Sequence, residues 1–159
     1  MAMTISTEGL TEVSEMLAKL GDRAQEVASG ALFDGAGVVA DAYRRAVESI
    51  RTEPFRGKRD HRLPSPEEKN ALIGKTGIAK FSRDGGEVNT VIGISGSAGY
   101  ADIAGNKRAV RLIARSINSG TSFMQKQPVF RKAVNDSRTA AERAIASRAE
   151  KEFEKIIKG

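Results

Sequence analysis

A chain of 159 residues with 40% apolar and 5% aromatic side chains, and no Trp, has the size of one domain with a thin core drawn largely from Ala. The absence of Cys excludes disulfides and cysteine-ligated metal, and no apolar run approaches the roughly 18 residues that span a bilayer. A net charge of +6 favours a polyanion or an acidic protein neighbour, although on a helical protein such charge ordinarily solvates the outer faces.

The first six residues, Met1-Ala2-Met3-Thr4-Ile5-Ser6, lack the basic and apolar regions of a secretory signal. Over 9–20, Leu10, Val13, Met16, Leu17 and Leu20 recur at three- and four-residue intervals, which predicts an amphipathic helix capped by Thr7. Gly21 and Asp22 break it, with Asp22 placed to cap a second helix. Over 23–50, Val27, Ala31, Val38, Ala42, Ala46 and Ile50 form one stripe of that longer helix, with Leu32, Val39 and Tyr43 beside it. Gly30, Gly35 and Gly37 within it mark either the close approach of another helix or a bend near Gly35.

Residues 51–66 change character, since three prolines and a glycine forbid regular structure. Arg51, Arg56, Lys58, Arg59 and Arg62 outnumber Glu53 and Asp60, so this is a basic loop. Ser65 before Pro66-Glu67-Glu68 predicts a helix start that ends by Gly74. Residues 78–81 and 87–94 flank Asp84-Gly85-Gly86 as the strands of a hairpin, with Val88, Thr90, Ile92 and Ile94 on one face. The Gly/Ser/Ala-rich stretch 95–105 is expected to be a loop. Over 108–118, Val110, Ile113, Ala114 and Ile117 suit one face of a short helix, with a strand as the alternative. From Gln127-Pro128-Val129-Phe130 onward helical spacing runs to the C-terminus, a helix of about 30 residues and ~45 Å. Its i,i+4 like-charge pairs, Glu150 with Glu154 and Lys151 with Lys155, imply that it needs docking. The expected fold is thus α+β and a single domain over 1–159. It comprises two N-terminal helices, a small antiparallel β-sheet and a long C-terminal helix.

The chemical inventory is sparse. His61 is the sole histidine and lies in the basic loop, where an exposed lone histidine is ordinarily neither catalytic nor a ligand. Gly74-Lys75-Thr76 resembles the tail of a phosphate-binding loop, but Lys69 stands where the leading glycine belongs. No catalytic residue, cofactor or metal site is therefore expected, and a small hydrolase is disfavoured. The basic loop offers clustered cations for phosphate with Phe55 as its single aromatic, so any nucleic-acid contact would be sequence-neutral. A solvated loop that orders against a neighbouring subunit is the equal alternative.

At Asn118-Ser119-Gly120-Thr121-Ser122, followed by Gln127-Pro128-Val129-Phe130-Arg131-Lys132-Ala133, the chain resembles the tail-completion and head–tail-joining proteins of long-tailed phages, a group that includes minor tail protein Z. The order of elements matches over nearly the whole chain; the motif match covers 117–133. The chain departs from the pattern at Ile117-Asn118-Ser119, where an aromatic and an acid often precede Gly-Thr. It departs again where Val129 splits Pro128 from Phe130 and where Lys132 replaces a proline. In physical terms Gly120 permits a turn with positive φ, Pro128 presets the first turn of the final helix, and Phe130 can seat in the core. The resemblance implies a structural virion protein in the tail or neck, assembled in the bacterial cytoplasm. It implies a homohexameric ring that completes the tail, meets a connector, tail terminator or tail tube, and leaves a channel for DNA. The basic loop would then face that channel, in non-specific contact with packaged DNA, or face a neighbouring ring. The rival expectation is a sequence-neutral nucleic-acid-binding module acting through residues 51–62.

Overall fold

The computed structural model describes residues 3–5, 21–55, 61–84, 87–101 and 107–158; the helix expected over 9–20 lies outside them. The described chain mixes helix and antiparallel sheet, as an α+β fold does.

Two long helices form the frame. Helix α1 spans Asp22–Ser49 and runs without a break through its three glycines. Asp22 is its first helical residue and not its cap: Gly21 holds that position with φ of 68°, and no side chain caps the helix. Helix α4, Val129–Lys158, lies antiparallel to it, an interface more extensive than any other among the described residues. At one end the Tyr43 ring stacks on Phe130 with centroids 5.3 Å apart. At the other, Ala24 and Val27 meet Phe153 and Ile156. Midway, a Cβ on Gly35 would lie 2.7 Å from Ile145 Cδ1, closer still to its Cγ1, and 3.1 Å from the Ala141 carbonyl oxygen. Of the two roles open to these glycines, Gly35 thus serves close helix approach.

Strand β4, Glu87–Ile94, is the centre of the main sheet. Strand β1, Met3–Ile5, pairs with it on one side, and β2, Thr76–Ile78, and β3, Ser82–Asp84, pair with it in succession. Val88, Thr90, Ile92 and Ile94 are buried as their alternation predicts. Ile92 and Ile94 join the core cluster under α1. The hairpin strand expected over 78–81 is corrected to β3. Between β2 and β3 the Thr90 hydroxyl donates to the Ala79 carbonyl at 2.8 Å, while Phe81 turns to pack against the cluster of Leu32, Val88 and Ile145. The loop expected over 95–105 is also corrected: Ser97–Ala101 (β5) pairs with Lys107–Ala109 (β6). Gly96, at φ of 106°, turns into β5, and its carbonyl accepts from the Val110 amide at 3.0 Å.

Short helix α2, Pro66–Asn70, opens with a full capping box: Ser65 Oγ accepts from the Glu68 amide and Glu68 Oε2 accepts from the Ser65 amide. Helix α3, Val110–Ser119, settles the 108–118 alternative in favour of helix and buries Val110, Ile113, Ala114 and Ile117. Among the described residues no helix is long and apolar enough to cross a membrane.

Candidate functional site: the basic loop and its seat

The two regions singled out in the sequence, 51–66 and 117–133, meet in space. Gly120 ends α3 with φ of 74° and ψ of 167°, a backbone region open essentially to glycine. A Cβ there would also lie 3.1 Å from Lys126 Cβ. Thr121 Oγ1 accepts from the Phe123 and Met124 amides at 3.2 and 3.1 Å, closing a tight turn. Asn118 Oδ1 accepts from the Arg131 amide at 3.4 Å and so reaches the first turn of α4. Pro128 immediately precedes that turn, Phe130 is fully buried within it, and Ala133 packs half-buried against the core, while Arg131 is exposed.

This turn seats both stems of the basic loop. Buried Gln127 accepts from the Arg51 amide and donates to the Arg51 carbonyl, both at 3.0 Å, imitating a strand pair with a side chain. On the other stem the Arg62 amide donates to the Phe123 carbonyl at 3.0 Å. The Gln125 amide donates to the Arg62 carbonyl at 2.9 Å, a single parallel bridge. The stems also bind each other, since the Glu53 amide donates to the Pro64 carbonyl and Glu53 Oε1 accepts from the Leu63 amide.

The loop cations divide into three groups. Arg51 is fixed through its backbone, and its side chain is exposed. Arg56, Lys58 and Arg59 lie outside the described residues. Arg62 is engaged within the fold: its guanidinium forks onto Glu68 at 2.7 and 2.8 Å and lies over the Phe55 ring at 5.5 Å. Arg108 adds a longer contact to Glu68 at 3.5 Å. Burial pushes the Glu68 carboxyl up, but the Arg62 hydrogen bond, the Ser65 amide and the charges of Arg62 and Arg108 outweigh it and hold the group below its ordinary value. Arg62 is therefore a structural cation first, because its planar fork is already matched by a carboxylate.

Two features escaped the sequence reading. The Arg62–Glu68 pair spans a proline-rich turn, and no periodicity announces a contact of that kind. The second was legible by counting charge in windows. Residues 103–135 contain Lys107, Arg108, Arg111, Arg115, Lys126, Arg131 and Lys132 and not one Asp or Glu, so this stretch holds the whole positive excess of the chain. Two half-exposed aromatics lie at this bridge, Phe55 beneath the Arg62 guanidinium and Phe123 next to Met124, the bridge partner of Arg62. Comparison with protein-family models, curated proteins and solved structures finds no match to this chain.

Proposed function

We propose that the chain is a structural subunit of a homohexameric ring at the tail top or neck of a long-tailed phage. There it completes the tail, joins it to the head connector and leaves a channel for DNA. The observation that carries this assignment is the seat itself: the Gly120–Ala133 segment that resembles the phage family is the segment that pins both stems of the basic loop and the first turn of α4. From the long helix onward the order (basic loop, small sheet, Gly-Thr turn, long C-terminal helix) accords with the family the sequence resembles, and the first helix of that family's N-terminal pair would fall outside the described residues.

In such a ring the work is geometric. A surface patch on one subunit meets a different patch on the next, and the rotation closes. Phe55 and Phe123, each about half exposed (53%), suit contact with a neighbour better than contact with water. Phe55 belongs to one stem of the basic loop, which in this reading faces the channel or an adjoining ring. Size-exclusion chromatography with light scattering, followed by electron microscopy of the purified full chain, tests the assignment. Six-fold rings are expected, and Phe55→Ser with Phe123→Ser should return them to monomer with the helical content unchanged. A chain that is monomeric at every concentration and is missing from virions contradicts it.

A further inference from the structure

The charge distribution points to a nucleic-acid-binding surface on α3 and the segment after it, distinct from the basic loop. We infer that this surface grips the phosphate backbone of duplex DNA without regard to sequence. It does not depend on the ring and can be tested on the chain alone.

The surface arises from how α3 is buried. With Val110, Ile113, Ala114 and Ile117 turned inward, Arg111, Leu112 and Arg115 are left on the exposed side. The two arginines are one turn apart, about 6 Å along the axis. At the C-terminal end of α3, the Lys126 amide nitrogen lies 3.2 Å from where a Cβ on Gly120 would sit, and the Arg131 amide reaches Asn118. Lys107 lies at the opposite end, in β6. All five of these side chains are exposed, and none has an ion pair among the described residues. Two further cations of the stretch are paired, Arg108 with Glu68 and Lys132 with Asp136, and exposed cations such as Arg23, Arg45, Lys75, Lys80, Arg143 and Lys151 also lack an ion pair among the described residues; what sets this surface apart is that 103–135 holds no Asp or Glu.

Like charges gathered in this way repel one another, and Arg131 stands in the first turn of α4, where the helix dipole disfavours a cation. A partner that carries one sign throughout relieves both costs. A protein surface of mixed sign would be met by charges of both signs, whereas a phosphate backbone asks for cations alone. Arginine, which predominates here, forks onto phosphate oxygens. The exposed side of α3 carries no Asn, Gln or aromatic side chain; in the segment after it Gln125 already donates to the His61 carbonyl, and the Phe123 ring meets no unstacked base on an intact duplex, so the grip is sequence-neutral. The seat places Arg51 and Arg62, the stems of the basic loop, beside the end of α3.

The test is fluorescence anisotropy of the full chain with a mixed-sequence duplex of about 30 bp, read from about 50 to 200 mM salt. Wild-type protein is expected to bind with log K falling by about 4 per decade of salt, the mark of four or five phosphate contacts. Arg111→Gln with Arg115→Gln should lower that slope by about 2 and weaken binding at low salt by about tenfold or more. Arg45→Gln with Arg143→Gln removes the same charge from exposed positions on α1 and α4 and should leave the slope in place. Absence of salt-dependent binding overturns the proposal, and so does an equal loss in the control pair. Competition by polyglutamate as effective as that by unlabelled duplex would also overturn it, in favour of an acidic protein.

Discussion

Tyr43 and Glu68 are the two buried polar side chains on which the local energetics turn. Tyr43 is only 1% exposed, its ring stacked on Phe130, and its hydroxyl has no hydrogen-bond partner among the described residues. Burial pushes its phenol pKa up, which keeps it neutral. An unpaired buried hydroxyl costs about 1–3 kcal/mol, so Tyr43→Phe should keep the stack and raise stability by about 1 kcal/mol in urea unfolding. A loss of stability would show that the hydroxyl is engaged. Glu68 is the opposite case, a buried carboxylate that accepts from Arg62 and Ser65. Its folded pKa lies below the unfolded one, so the folded state holds fewer protons. Its contribution is complete above the unfolded value and fades as pH falls through the folded value. Glu68→Gln should therefore be less stable than wild type at neutral pH, by about 2 kcal/mol. That is below the ~3–5 kcal/mol for a fully buried pair, because Arg62 is partly in water. Below about pH 4 the gap should narrow; a gap constant from pH 7 to pH 3 by calorimetry would refute the linkage.

Among the elements, the packing of α4 on α1 depends on what the glycines of α1 admit. In an open helix position Gly→Ala stabilises by up to about 1 kcal/mol. Gly37 has nothing within 4 Å of a new Cβ, so Gly37→Ala should raise the melting temperature by about 2–4 °C. Gly35→Ala gains the same propensity but drives a methyl into Ile145 and toward the Ala141 carbonyl, and it should lower the melting temperature. Thermal scans giving the two variants the same sign would contradict the close approach. At the loop seat, Gln127→Ala removes both bonds to the Arg51 backbone. Hydrogen exchange at the Arg51 amide and tryptic cleavage within 56–60 should then quicken by about tenfold, while α3 and α4 keep their protection. Uniform loosening of the whole chain would instead make Gln127 a general core residue.

These elements were unequally legible. Helix α1 agrees with its apolar stripe to within a residue at each end, and Ser65 with Pro66 announced α2, because side-chain period and cap chemistry are local. Strand β1 has three residues and no room for alternation, and β5 with β6 is held by backbone bonds in a Gly/Ser/Ala stretch in which, among the described side chains, Ala98 alone is buried. Pairing of that kind leaves little mark on composition. Gln127 was visible as part of the Gln-Pro start of α4, yet its partner lies 76 residues away, and no spacing rule reaches so far.

For the whole molecule, the thin core expected from composition is seen in its lining. Ala24, Ala31, Ala36, Ala40, Ala42, Ala46, Ala98, Ala114, Ala141 and Ala149 are all buried, so much of the interior is methyl-sized. Small residues let α1 and α4 lie close but bury little area each, which leaves modest stability for a lone chain. Contacts between copies would add to it, and Phe33, Phe55, Ile73, Leu112 and Phe123 remain at the surface to make them. The net charge of +6 was a weak guide when read over the whole chain, because acids elsewhere dilute it; confined to 103–135 it marks a surface. The proposed place is tested most directly by cryo-electron microscopy of particles of a phage whose genome carries the gene for this chain. A six-fold ring between tail tube and connector, into which the antiparallel α1–α4 pair fits, is the expected result. A neck fully accounted for by other proteins, with no density for that helix pair, would contradict it.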